Sequence, residues 1–238
     1  MASKPLLLFD MDGTLIIPKM KEADGKVTIH SLSLQSRQQM KNISHYYGVP
    51  LTELDSLSRM AHIWNIARRY AEAHGFSEER MKSMMAELNE PFNRQEELEH
   101  SLSVLLPGTI EVLEGLQKNS YMLGMVTTAS RAGFERISCS EEFGYFGMYF
   151  KHSITRDDCG YIKPDPEPIN RILRLFDRSD FIYIGDSDHD AEATKAAGGS
   201  FILLNTKMYD EKMLQRIHPD GILDRLNELP YLISCILT

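Results

Sequence analysis

Four short runs of apolar residues recur along the chain, each closed by a polar or small residue: 6–9, 122–126, 181–184 and 201–204. A strand with one face in water alternates apolar and polar positions, whereas a strand covered on both faces does not. These unbroken runs therefore predict buried, parallel strands. Between them the apolar positions return at helical spacing. One such stretch, 109–117, follows Pro107-Gly108; a second, Glu167–Phe176, follows Pro164 and Pro166; a third, 190–197, stops at Gly198-Gly199. Proline before a helix and glycine after one are the expected boundary residues. Strand and helix in alternation predict an α/β fold, a Rossmann-like, doubly wound parallel sheet.

Residues 16–105 break this rhythm. They carry helical patterns at 35–46, 54–73 and 78–88 but no strong strand, which predicts a helical cap domain inserted into an α/β core made of 1–15 and 106–238. Segments 16–19 and 102–106 would connect the two, with Pro18 and Pro107 restricting the backbone there. Asp24-Gly25 reads as a tight turn near the first connection.

Composition narrows the partners. With 238 residues and 42% hydrophobic positions, the chain can bury one full core and a small second one. Its 26 Lys and Arg against 34 Asp and Glu, a net charge of -8, provide no positive field for nucleic acid or anionic lipid. No apolar run approaches the roughly 20 residues of a membrane-spanning helix. Cys139, Cys159 and Cys235 are odd in number and lack C-x-x-C spacing, and no secretion signal stands at the N-terminus. A reducing, cytoplasmic compartment is expected.

The chemistry begins at the end of the first run, in Asp10-Met11-Asp12-Gly13-Thr14. Residues two apart on a strand share a face, so Asp10 and Asp12 project together, and Gly13 lets the chain turn behind them. Two converging carboxylates raise one another's pKa unless a cation or a proton lies between them, and a hard, oxygen-seeking ion such as Mg²⁺ fits. A second acidic group, Gly185-Asp186-Ser187-Asp188-His189-Asp190, follows the run 181–184. Both groups fall at strand carboxyl ends, where open α/β sheets bind ligands. The competing reading makes Asp186, Ser187 or Asp188 a helix cap only. Thr127, after the run 122–126, offers a hydroxyl and a backbone amide for a phosphate, and Lys163 offers a cation. His189 reads as a solvent-facing or helix-start residue. Trp64, Arg68 and Arg69 read as a packed indole and two solvated arginines.

Taken together, these segments resemble the haloacid dehalogenase superfamily, in its phosphatase branch with a helical cap. Asp10, Asp12, Gly13 and Thr14 match the first motif of that family, Thr127 the second, Lys163 in Lys-Pro-Asp-Pro the third, and Gly185, Asp186 and Asp190 the fourth. The resemblance implies a Mg²⁺-dependent phosphatase in which Asp10 attacks phosphorus and Asp12 is the general acid and base. It further implies that Thr127, with Thr128 as the adjacent alternative, and Lys163 hold the phosphoryl group. Asp10, Asp12 (through its main-chain carbonyl) and Asp186 would hold the metal, with Asp190 supporting Lys163 or a metal-bound water. The implied substrate is a small phosphorylated metabolite, phosphoglycolate- or sugar-phosphate-like, and the implied assembly a monomer or homodimer. A sugar phosphomutase is the alternative, and a catalytically inactive binding protein a more distant one.

Overall fold

The computed structural model describes residues 4–19 and 23–236. Six strands form one parallel sheet: β1 (Leu6–Phe9), β4 (Leu123–Val126), β5 (His152–Ile154), β6 (Phe181–Gly185), β7 (Ser200–Leu204) and β8 (Gly221–Leu223), in the order β5-β4-β1-β6-β7-β8. β1 lies between β4 and β6, with Leu7 opposite both Leu123 and Ile182. This is the predicted doubly wound sheet, and in it the ends of β1, β4 and β6 fall along one edge.

Alternation of side chains sorts the sheet into two apolar layers. Leu7, Phe9, Met125, Ile184 and Ile202 face α5 (Thr109–Lys118), α6 (Arg131–Ser138) and α10 (Leu229–Ile236). Leu6, Leu8, Val126, Phe201 and Leu203 face α7 (Glu167–Phe176), α8 (Asp188–Ala196) and α9 (Glu211–Ile217). Each large apolar side chain fully buried in these layers stabilises the fold by about 1.5–3 kcal/mol.

Four helices lie between β1 and the rest of the core: α1 (Ala23–Tyr46), α2 (Leu51–Leu54), α3 (Met60–Ala73) and α4 (Glu78–Ser101). The two connecting segments, β2 (Ile16–Pro18) and β3 (Ser103–Leu105), pair antiparallel, Ile17 opposite Val104. The sequence marked these segments as connections without revealing that they bond to each other. Asp24-Gly25 is no turn, because both residues lie in the first turns of α1. α4 runs through Pro91 to Ser101, well past the expected end at 88. Met40, Trp64, Ala67, Met84, Leu88 and Phe92 make a third apolar cluster, into which Ile162 of the core also packs.

Candidate active site

Asp10, Thr127 and Asp186 stand immediately after or at the ends of β1, β4 and β6, and all three are buried. Lys163 reaches the same place from the loop before α7. Its Nζ donates to Asp10 Oδ1 at 2.7 Å and to Asp190 Oδ1 at 2.6 Å. The remaining hydrogen is shared between Tyr183 Oη at 2.7 Å and the Val126 carbonyl at 3.2 Å. Tyr183 in turn donates to that carbonyl at 2.8 Å. The ammonium is thus fixed by strands β4 and β6 as well as by the two acids. Asp10 Oδ2 accepts no hydrogen bond among the described residues.

Asp190 has both oxygens engaged. Oδ1 takes Lys163, and Oδ2 accepts from the Ser187 amide at 3.1 Å and its hydroxyl at 2.6 Å. Ser187 is the N-cap of α8, and its hydroxyl accepts from the Asp190 amide, forming a reciprocal capping box. Capping and site construction are therefore the same set of bonds here.

The carboxylates of Asp10, Asp186 and Asp190 bring one oxygen each within 4.8 Å of one another. Burial drives Asp10 well above the usual carboxylate pKa. Lys163 opposes this, while the charges of Asp190, Asp186 and Asp12 add to it. Burial likewise pushes Asp186 up to about 6, against the pull of Lys207, whose Nζ lies 2.8 Å from Asp186 Oδ2. Asp190 ends below its ordinary value, since Lys163 and Ser187 together outweigh its burial. Lys163 stays protonated because Asp10 and Asp190 outweigh its own burial. Three buried acids against two lysines, Lys163 and Lys207, leave the site one positive charge short, and an all-oxygen donor set suits a hard divalent ion. Gly13 makes room for Asp186: with φ +86°, a Cβ there would lie 1.9 Å from Asp186 Oδ2. The Thr206 hydroxyl holds the Gly13 carbonyl at 2.8 Å, tying the loop after β7 to the loop after β1.

Asp12 is set apart from this cluster. Its carboxylate is partly exposed, and its Oδ1 lies 3.0 Å from Nε2 of buried His100 at the end of α4. Burial disfavours the imidazolium, but the hydrogen bond and charge of Asp12 outweigh it and hold the His100 pKa above its ordinary value. The Asp12 side chain is thus outside the metal-type cluster, and only its backbone is compatible with a place there. For Thr127 one expectation is corrected. Its amide donates to the Ile154 carbonyl at 3.0 Å to continue the sheet, so it is not available to a phosphate. The Thr127 hydroxyl accepts from the Ala129 amide at 3.0 Å and still has a hydrogen to donate. Thr128 lies beside a cavity next to Asp12.

The helices meet the core directly at this site. Asn65 pairs with the backbone of Ile162, donating to its carbonyl at 2.7 Å and accepting from its amide at 3.0 Å. Trp64 Nε1 donates to the Gly160 carbonyl at 3.3 Å, and Arg69 bonds Asp165 at 2.9 Å. Trp64 packs as expected, whereas Arg69 is an ion-pair partner rather than a purely solvated residue. Of the two readings of His189 the helix-start one holds: it is the second residue of α8, half-buried, with its ring 4.6 Å from that of His62 on α3. Arg156, buried, reaches α4 through Glu96 at 3.2 Å and Asn89 at 3.0 Å while donating to the Thr128 carbonyl at 2.7 Å. Sequence reasoning missed Lys207, Tyr183, Arg156 and His100. Lys207 alone carried a signal, its position just beyond the strand end of β7.

A family model for haloacid dehalogenase-like hydrolases matches residues 7–204. The chain belongs to this family. It is 24% identical to the pyrophosphatase PpaX of Bacillus mycoides over 232 residues, covering 97% of each chain. It is 28% identical to PpaX of Bacillus velezensis over 228 residues, covering 94% of this chain and 93% of the relative. Among solved structures, a Lactobacillus plantarum protein provisionally named a phosphoglycolate phosphatase superposes with a TM-score of 0.59 at 20% identity, covering 97% of this chain and 99% of that one. A haloacid dehalogenase-like hydrolase from Streptococcus pneumoniae gives 0.56 at 19% identity, covering 98% and 100%. These two likenesses bear on the fold. The family model makes the chain a haloacid dehalogenase-like hydrolase, and the curated relatives it resembles are pyrophosphatases by name. Among the described residues no helix is long and apolar enough to cross a membrane.

Proposed function

We propose that this hydrolase is a phosphatase that cleaves a small phosphate monoester through a phosphorylated Asp10. The observation that carries this is the asymmetry of Asp10: Lys163 fixes Oδ1 at 2.7 Å, leaving Oδ2 without a hydrogen bond and free to attack. Asp10 and Asp186, with the main-chain carbonyl of Asp12, would hold Mg²⁺, which when bound supplies the positive charge that lets an anionic nucleophile meet an anionic phosphoryl group. Lys163 and the Thr127 hydroxyl would hold phosphoryl oxygens, with Thr128 at the edge of the same space. Asp190 orients Lys163.

In the first step a bond forms between Asp10 Oδ2 and phosphorus as the ester P–O bond breaks. Asp12 gives its proton to the departing oxygen. In the second step Asp12 takes a proton from water as the water oxygen attacks phosphorus, releasing inorganic phosphate and restoring Asp10. Residues 16–105 would act as the cap that excludes bulk water, and 1–15 with 106–238 as the catalytic core. Pyrophosphate, phosphoglycolate and sugar phosphates are the first substrates to assay, given the names of the relatives and the sequence resemblance.

The test is to measure phosphate release with and without chelator and Mg²⁺, for the wild type and Asp10→Asn. Loss of several orders of magnitude in a folded Asp10→Asn protein is expected. Near-normal turnover in that variant would overturn the mechanism. In Asp12→Asn, an activated ester should leave about 80 Da, the mass of a phosphoryl group, on the peptide bearing Asp10, detected after quenching. Steady accumulation of a returned, isomeric sugar phosphate in place of inorganic phosphate would favour the mutase.

A further inference from the structure

Among the described residues the Asp12 side chain has one hydrogen-bond partner, and it comes from the helical insert. His100, in the last turn of α4, stands 88 positions along the chain from Asp12, yet its Nε2 lies 3.0 Å from Asp12 Oδ1. The two side chains differ in exposure: the imidazole is 2% exposed and the carboxylate 40%. Nδ1, the other ring nitrogen, is buried without a partner. A buried histidine that served only to join parts of the fold would engage both nitrogens, since an unanswered polar atom is costly. Here the ring forgoes one bond and keeps the bond to Asp12. Asp12 Oδ2 accepts no hydrogen bond among the described residues. One oxygen is thus held, and the other is left to the cavity of about 90 Å³ that Asp12 and His100 line together with Thr128. The holding end is firm. One turn before His100 on the same helix face, Glu96 accepts from the Ser130 amide at 2.9 Å, the Ser130 hydroxyl at 2.7 Å and Arg156 at 3.2 Å, which fastens α4 to the core just ahead of the imidazole.

We infer that His100 is a positioning residue for the reaction: by holding Oδ1 of Asp12 it aims Oδ2 at the departing oxygen in the first step and at the attacking water in the second. The inference rests on the proposed phosphatase mechanism and adds to it a residue supplied by the insert. A carboxylate on a loop turns about its last side-chain bond, and a proton is passed only within hydrogen-bond reach, about 2.6–3.2 Å between heavy atoms. Unheld, a carboxylate as exposed as that of Asp12 would often point toward bulk water. With Oδ1 held, the same oxygen serves both steps. In the second, the water oxygen bonds to phosphorus, the bond from phosphorus to Asp10 Oδ2 breaks with its electron pair returning to the Asp10 carboxylate, and the water proton passes to Asp12 Oδ2.

The test uses the full-length protein with Mg²⁺ and acetyl phosphate, whose acetate departs without needing a proton. A first step that needs no acid and a second that needs Asp12 as base are then read separately by quenching and weighing the peptide that bears Asp10: gain of the phosphoryl group during loading, and its loss once acetyl phosphate is removed. His100→Leu should slow the loss by about tenfold or more, a share of the 10²–10⁴-fold that a positioned acid or base contributes, while changing the gain by less than about threefold. His100→Gln, whose amide nitrogen comes near the place of Nε2, should bring the loss back to within about threefold of wild type, whereas the shorter His100→Asn should not. His100→Asn also carries the comparison if the leucine variant does not fold. In Asp12→Asn, adding His100→Leu should change either rate by no more than about twofold, because the imidazole acts through the carboxylate. Equal slowing of both steps, a further slowing in the Asp12→Asn background, or a loss as fast as wild type in the folded leucine and asparagine variants would each overturn the inference. Phosphoryl group trapped on Asp10 in Asp12→Asn, beside unaltered His100 variants, would strike only the role given to His100. No phosphoryl group on Asp10 in Asp12→Asn would strike the phosphatase mechanism itself.

Discussion

Arg156 offers the sharpest energetic test of how the helices are held on the core. It is 1% exposed, and its guanidinium makes four hydrogen bonds, to Asn89, Glu96, the Thr128 carbonyl and Asn93, while lying 4.1 Å from the Phe92 ring centroid. Arg156→Met keeps most of the stem volume and removes the fork. Hydrogen bonds to a charged group contribute about 1.5–3 kcal/mol each, so the four in isolation would exceed the net effect severalfold. Burial of the guanidinium opposes them, and it is strong enough to pull the Arg156 pKa below its ordinary value. What remains is dominated by Glu96, which loses its cation while still buried. Removing one member of a buried pair costs about 3–5 kcal/mol, and that is the expected loss. Glu96 keeps the Ser130 amide at 2.9 Å and hydroxyl at 2.7 Å, which places the value toward the lower end. Urea unfolding should show the midpoint falling with little change in slope. Glu96→Gln added to Arg156→Met should recover about 1–3 kcal/mol, because it removes the stranded charge. Arg156→Lys should fall between, keeping a charge for Glu96 but losing the fork to the asparagines. A folded Arg156→Met protein within about 1 kcal/mol of wild type would refute this account, since surface substitutions alone reach that range.

Gly13→Ala should weaken Mg²⁺ binding measured by calorimetry, because the new Cβ meets Asp186 Oδ2 at 1.9 Å, and should cost about 1–2 kcal/mol of backbone strain at φ +86°; unchanged affinity would contradict the assigned role of Asp186. Lys163→Met should destabilise the metal-free protein by about 3–5 kcal/mol near neutral pH, where Asp10 and Asp190 would confront each other without a cation. That loss should shrink as pH falls and the carboxylates take up protons, which thermal melts from pH 8 to pH 5 would follow. The raised pKa of His100 means its pairing with Asp12 stabilises the fold fully below the unfolded value of 6.5 and that this contribution disappears as pH rises through the folded value. Histidine NMR titration should show the His100 pKa dropping in Asp12→Asn, and an unchanged value would remove Asp12 as the cause.

The sheet was legible where burial is complete. β1, β4, β6 and β7 are covered on both faces, so their apolar runs stand out in the chain. β5 and β8, three residues each at the sheet edges, offer too short a run and include His152 and Gly221. Asp10 and Asp186 were legible because strand ends fix where they point, and Lys163, which comes from the loop before α7, because its order along the chain among the acids is distinctive. The cavity wall was not. Pro91 reads as a helix stop, since it lacks an N–H and crowds the preceding turn. In the structure Pro91 is buried and α4 continues through it to Ser101, so Gln95, Glu96, Glu99 and His100 fell beyond the expected end of the helix. Arg156 lies in a short turn after β5, and its partners are 60 and 67 residues away on α4 and 28 residues away in the loop after β4. No local pattern can announce such a contact.

The two hydrogen bonds between Asn65 and the backbone of Ile162 have a consequence for how this enzyme could be re-engineered. They copy the reciprocal pairing of neighbouring strands, but between a side chain of α3 and the loop whose next residue is Lys163. Exchanging the helices for those of another phosphatase to alter its substrate range would therefore also exchange the clamp on the lysine. A graft whose third helix lacked a carboxamide at this place would leave two buried backbone groups of Ile162 unanswered and would free the loop one residue from the ammonium. The helices and the seating of Lys163 are consequently inherited together, and a chimera would need Asn65 retained, or Ile162 rebuilt with it, before its specificity could be read at all.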